Sequence, residues 1–173
     1  TALLVRVTTS DGAEGWGETW AFPDAAGAII RSRFGPALIG ADVTTPVASI
    51  ASLLQMAPQD RRGLHHMAAS ALDIALWDAC GRVAGKPIHN LLGGARRDTV
   101  PAYASGPLLR EGDPYADLDR VIGDCLAQGF KAFKLRIGID RRSDEAALRR
   151  ARELTGPDAM LMADMNEAGT VKE

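Results

Sequence analysis

Only two cysteines occur in the chain, Cys80 and Cys125, and neither stands in a CxxC or Cys/His pattern. The spacing of a zinc site is therefore lacking, and both residues are expected as buried free thiols in a reducing cytoplasm. Aromatic residues are scarce, at 5% of the chain, and cations bring no excess: 20 Lys and Arg stand against 22 Asp and Glu, for a formal net charge of -2. Phosphate binding needs a local surplus of Lys and Arg, so no nucleic-acid partner is expected. Long apolar runs are missing too; none approaches the roughly 20 residues that span a bilayer, and no membrane segment is expected. No secretory leader is expected. The chain opens at Thr1, inside a stretch that already reads as strand, so the natural N-terminus is expected upstream.

What is present is ordinary globular material. Apolar residues make up 46% and charged residues 24% of 173 positions. That suffices for one medium domain, or for a small domain plus part of another.

Residues 2–7 are β-rich, Ser10-Asp11-Gly12 signals a turn, and a second extended stretch reaches Trp16, which predicts a hairpin. Thr19 to Asp24 reads as a loop with exposed aromatics. Helices are expected over Ala25 to Phe34 and Pro46 to Gln55. The clearest helix runs from His66 to Ala84, where Ala68, Ala71, Leu72, Ala75, Leu76, Ala79 and Val83 recur at three- and four-residue spacing and form one apolar face. Gly85 and Pro87 stop it. A short apolar segment, Ile88 to Leu92, ends in Gly93-Gly94, and Ala95 to Asp98 reads as a linker.

Beyond the linker the texture changes to alternating strands and helices. Val100 to Ser105 is an expected strand. Asp113-Pro114 reads as the cap of a helix whose face is Leu118, Val121, Ile122, Cys125 and Leu126. Phe130 to Ile137 is the next strand. Ser143 is expected to cap a helix with Asp144 and Glu145 in its first turn, and Met160 to Asp164 is the third strand. Such β-α-β-α-β alternation demands a parallel sheet with crossover helices, in a (β/α) barrel or a doubly wound sheet. Residues 1–98 read as a separate α+β domain.

Strand alternation places Phe133, Leu135 and Ile137 on one face and Lys134 and Arg136 on the other. If the apolar face meets the helices, the two cations point inward near the C-terminal end of their strand, where active sites of barrels lie. A solvated strand end is the plainer alternative. Asp164 and Asn166 stand thirty residues further on, at the end of the next strand, and the same alternation sets both on one face. Neighbouring parallel strands then present Lys/Arg beside Asp/Asn. Asp is a hard oxygen ligand of the kind Mg²⁺ prefers; a salt bridge to Lys134 or a helix cap is the plainer use.

The stretch Ala68-Ala69-Ser70-Ala71-Leu72-Asp73-Ile74-Ala75-Leu76-Trp77-Asp78-Ala79-Cys80-Gly81-Arg82, continuing Gly85-Lys86-Pro87-Ile88 and closing Leu91-Leu92-Gly93-Gly94, resembles the signature of the mandelate racemase / muconate lactonizing family of the enolase superfamily. Leu161 to Asn166 is similar to the opening of that family's second signature, and Gly12, Gly15, Gly17 and Glu18 resemble the glycine-rich strand of its capping domain. The resemblance implies an α/β fold: an α+β capping domain over 1–98, its first strand missing, and the first strands and helices of a TIM-type (β/α) barrel over 99–173, incomplete in this chain. Lys134 and Arg136 fall on the Lys-x-Lys motif and are the implied catalytic residues. Asp164 falls on the first of three carboxylate ligands to Mg²⁺, the implied cofactor. Asn166 falls near the substrate, a small carboxylate. Trp20 and Phe22 lie in the mobile capping-domain loop (Glu18 to Asp24) that helps choose it. A homo-oligomer is also implied.

The superfamily uses a Lys or His base with Mg²⁺ to form an enediolate from a carboxylate substrate. Nearby cations are expected to depress the Lys134 pKa and favour a neutral base. Arg136 replaces the family's second Lys, and guanidinium stays protonated, so Arg136 suits substrate anchoring better than proton removal. That favours dehydration of a sugar acid over two-base racemization. Racemization or epimerization, cycloisomerization, or a non-catalytic structural fragment are the alternatives. The chain stops at Glu173, so the remaining ligands are expected outside it. Asp73 and Asp78, within the first signature, are expected to be structural, as are His65, His66 and His89.

Overall fold

Ser10-Asp11-Gly12 does close a hairpin. In the computed structural model, which describes residues 1–58, 60 and 62–166, β1 (Leu3–Thr8) pairs antiparallel with β2 (Glu14–Thr19), with Val5 opposite Gly17. At the turn the Gly12 N–H donates to the Thr9 carbonyl and Gly12 takes a φ of 87°, a left-handed conformation that glycine adopts without steric cost. The chain divides into two units, Thr1–Arg96 and Arg97–Glu173.

In the first unit the helix expected over Ala25 to Phe34 is longer and less regular. It comprises α1 (Pro23–Ile29), a π-helical turn over Ile30–Phe34 and α2 (Gly35–Leu38). Pro at the start explains the earlier beginning, because its missing N–H costs nothing there. Then come α3 (Pro46–Gln55), α4 (Leu64–Ala84) and α5 (Ile88–Leu91). Gly85, in a left-handed conformation, ends α4, with the Lys86 N–H returning to the Gly81 carbonyl.

Helix α4 lies directly on the hairpin. A Cβ added at Gly17 would run into the Ala71 carbonyl oxygen and the Ala75 nitrogen, and one at Gly15 into the Ala75 carbonyl oxygen and the Ala79 nitrogen. Alanines on the helix and glycines on the strand thus bring two backbones into contact. Ala68, Ala71, Leu72 and Ala75 join Val5, Ala26, Phe34 and Leu53 in the core. Val83, expected on this face, is instead 41% exposed in the helix's last turn. Asp78 accepts the Trp16 N–H at 2.9 Å and pairs with Arg82 at 3.2 Å, the structural role expected of it. His65 donates its backbone N–H to Asp60 Oδ2 at 3.0 Å, and its Nδ1 lies 2.6 Å from the same oxygen.

The second unit reads β3 (Ala104–Ser105), α6 (Leu118–Ala127), β4 (Ala132–Arg136), α7 (Arg141–Thr155) and β5 (Met160–Asp164). The three strands are parallel, in the order β3-β4-β5. Leu118, Ile122, Phe133, Leu135, Ala147 and Ala151 form the core between strands and helices. This α/β architecture, a small antiparallel sheet in one unit and a parallel βαβαβ sheet in the other, matches a capping domain and a partial barrel.

Several local expectations are corrected. The strand expected from Val100 pairs only at Ala104–Ser105; Pro101 brings no N–H to a ladder, and Val100 is exposed. Asp113 accepts the Tyr115 N–H at 3.2 Å and caps a turn, while the helix starts at Leu118. Asp140, not Ser143, caps α7, its carboxylate accepting the Ser143 N–H at 3.0 Å. Cys80 is buried, but Cys125 only partly so. Among the described residues no helix is long and apolar enough to cross a membrane.

Candidate active site

Alternation along β4 works as the sequence requires. Phe133 and Leu135 are buried in the core, while Lys134 and Arg136 lie half-buried on the opposite face. The parallel register sets Arg136 beside Asp164 and Lys134 beside Met162. Lys134 reaches diagonally and its Nζ donates to Asp164 Oδ2 at 3.0 Å. Asp164 Oδ1 accepts the Asn166 N–H at 3.0 Å. Two cations and a carboxylate therefore gather at the C-terminal ends of adjacent parallel strands.

Asn166 needs a correction. Strand β5 ends at Asp164 and Asn166 adopts a φ of 49°, so strand alternation does not reach its exposed side chain. Asn tolerates this left-handed conformation better than most residues, and the reversal turns its N–H back onto Asp164. Trp20 and Phe22 belong to the first unit, where they are 82% and 67% exposed; neither is used to pack that unit.

The electrostatics also reverse one expectation. The hydrogen bond to Asp164 pushes the Lys134 pKa up, and the opposing effect of Arg136 is the smallest of the causes. The same hydrogen bond, with the Asn166 N–H, holds the Asp164 carboxyl below its ordinary value. A lowered carboxyl pKa contributes stability above its ordinary value of 3.8, lost as pH falls through the folded value. A raised lysine pKa contributes below its ordinary value of 10.5, lost as pH rises through the folded value. The pair is thus fully formed between those limits. Replacing Lys134 with Met should move the Asp164 titration midpoint upward, as read by carbon-detected NMR; an unmoved midpoint would show that the two do not interact in solution.

Sequence reasoning missed a third strand's share. Ser105 stands opposite Lys134 in the β3–β4 register, and Tyr103, two residues earlier, places its ring centroid 5.7 Å from Lys134 Nζ, within range of a cation–π contact. The period of two along Tyr103 and Ser105 carried this signal, but only alongside the register. Among the described residues no three His, Cys, Asp or Glu side chains converge as a metal site.

A family model described as mandelate racemase / muconate lactonizing enzyme, N-terminal domain, matches residues 1–93, and one described as enolase C-terminal domain-like matches residues 118–173. The chain is 37% identical to D-galactarolactone cycloisomerase of Agrobacterium fabrum, over 99% of this chain and 46% of that protein. It is 32% identical to arabinonate dehydratase of Saccharolobus solfataricus, over 99% of this chain and 47% of that protein. The crystal structure of a racemase from Streptomyces coelicolor A3(2) with bound magnesium is similar with a TM-score of 0.85 at 35% identity, covering 99% of this chain and 52% of that one. The chain spans about half the length of the curated relatives it matches.

Proposed function

The chain belongs to the mandelate racemase / muconate lactonizing enzyme family, and on that premise we propose that the whole protein is a Mg²⁺-dependent lyase that dehydrates a sugar acid by removing the proton alpha to its carboxylate. The observation that carries this reading is the Lys134–Asp164 pair, with Arg136 beside it, at the C-terminal ends of β4 and β5.

Asp164 fits Mg²⁺ in kind. It is a hard oxygen donor that its hydrogen bonds keep ionised. It does not suffice in number, and further ligands would come from outside the described residues. Mg²⁺ bound there would supply charge stabilisation for an enediolate. Arg136 anchors the substrate carboxylate through its planar, two-pronged guanidinium. Lys134 handles a proton at Nζ. In its contact with Asp164 it keeps that proton; drawn away from Asp164 it yields the proton more readily and can stand neutral to take the alpha proton, while an acid outside the described residues protonates the departing beta hydroxyl. Asn166 is a proposed substrate contact in the second unit; Trp20 and Phe22, in the first unit, are proposed as substrate-selecting residues on the family resemblance alone.

Cycloisomerization is the second reading, supported by the 37% identity to D-galactarolactone cycloisomerase. Incubating the whole protein and Mg²⁺ with aldonates, aldarates and their lactones in deuterated water, followed by NMR, separates the two. A 2-keto-3-deoxy acid marks dehydration, and interconversion of lactone isomers marks cycloisomerization. If no acid shows alpha-proton exchange, a catalytic role is refuted in favour of a structural one.

Asp164→Asn should weaken Mg²⁺ binding to the whole protein about tenfold or more, read by calorimetry, since ligand charge sets affinity for hard cations. Retained affinity would remove Asp164 from the ligand set.

A further inference from the structure

The loop leaving β4 is gripped by a buried carboxylate whose hydrogen-bond partners are all neutral. Asp144, in the first turn of α7, is 8% exposed. Its Oδ2 accepts the Gly138 N–H at 2.9 Å. Its Oδ1 accepts the Tyr115 hydroxyl at 2.5 Å and, at a longer 3.4 Å, the Ile139 N–H. The Tyr115 hydroxyl also lies 3.4 Å from the Arg136 carbonyl oxygen. Burial, followed by the hydrogen bond to Asp144, pushes the Tyr115 phenol far above its ordinary value, so it remains a donor.

Burying a carboxylate is unfavourable, and a helix N-terminus and neutral donors offset that cost only in part. Apolar side chains could have filled the same space. What the carboxylate adds is direction, because it draws two amides of the chain leaving Arg136 and a phenol from the segment before α6 to one point. Those amides are two and three residues past the last residue of β4. Where they are fixed, the strand end carrying Lys134 and Arg136 is fixed.

We propose that Asp144, assisted by Tyr115, is a positioning residue that sets where Lys134 and Arg136 stand in the active site. This rests on the proposed function, since position matters only if those two groups act on substrate. A misplacement of about 1 Å can cost roughly 100-fold in rate.

The test compares Asp144→Asn and Tyr115→Phe with the unaltered whole protein. Asn keeps the shape but turns one acceptor into a donor, so a donor must face a donor. In Asp144→Asn, amide exchange at Gly138 and Ile139 should speed up about tenfold or more while α6 keeps its protection. The kcat of the folded enzyme on its sugar acid should fall about 10- to 100-fold, with a smaller change in KM. Tyr115→Phe should shift both readouts in the same direction by less. Unaltered exchange at Gly138 and Ile139 would overturn the proposal, as would a lowered unfolding midpoint with unchanged kcat. Freed amides in a protein whose unaltered form turns over no acid would instead refute the functional reading, and the positioning role with it.

Discussion

Replacing Lys134 with alanine in the whole protein should lower kcat about 1,000-fold, within the roughly 10²–10⁴-fold that a positioned proton-transfer group contributes. The fold should survive. Lys134 projects from the face of β4 opposite the core, and the contacts recorded for its ammonium are with Asp164 and Tyr103. Arginine at this position should not restore turnover, because guanidinium keeps the charge but cannot exchange its proton at ordinary pH. Steady-state kinetics beside a far-UV circular dichroism spectrum separate the two effects. An intact spectrum with undiminished kcat would sink the catalytic role.

Alanine at Gly17 should destabilise the first unit by about 3 kcal/mol or more, at the upper end of overpacking costs. The added Cβ would meet the Ala71 carbonyl oxygen and the Ala75 nitrogen. These are helix backbone atoms, which have no rotamer to change, so α4 would have to lift from the hairpin and open the Val5 and Leu72 packing beneath it. Urea unfolding followed by circular dichroism measures the loss. A change below about 0.5 kcal/mol, the level of an ordinary surface substitution, would show that α4 is not held against the strand.

The parts of this fold that could be read from the sequence depend on short-range periodicity. Phe133 and Leu135 alternate with Lys134 and Arg136, and a period of two fixes which pair faces the core whatever surrounds them. The alanine face of α4 was legible in the same way, apart from Val83. What could not be read depends on distances between strands. Lys134 was expected to have its pKa depressed by nearby cations. The salt bridge to Asp164, named from the sequence as the plainer use of that carboxylate, forms and reverses the sign; spacing along the chain could not say which of the two effects would be larger. Tyr103 escaped notice because only the pairing of Ser105 with Lys134 brings its ring to that cation, and a period along one segment does not report which strands pair. Asp144 looked like an ordinary acidic residue at a helix start; its bonds to Gly138 and Tyr115 belong to the tertiary structure. Asn166 was assigned a face by extending β5 beyond the point where the backbone turns left-handed.

The division into two units also separates the chromophores. Trp16, Trp20 and Trp77 all lie within Thr1–Arg96, and Tyr103 and Tyr115 both lie within Arg97–Glu173. Indole emission therefore originates entirely in the unit that carries the hairpin, and phenol absorbance entirely in the unit that carries Lys134 and Asp164. Without any label, indole emission excited at the red edge of the band, where phenols do not absorb, follows the first half of this chain alone, and a ligand or denaturant that acts on that half before the other will move it before the circular dichroism of the whole.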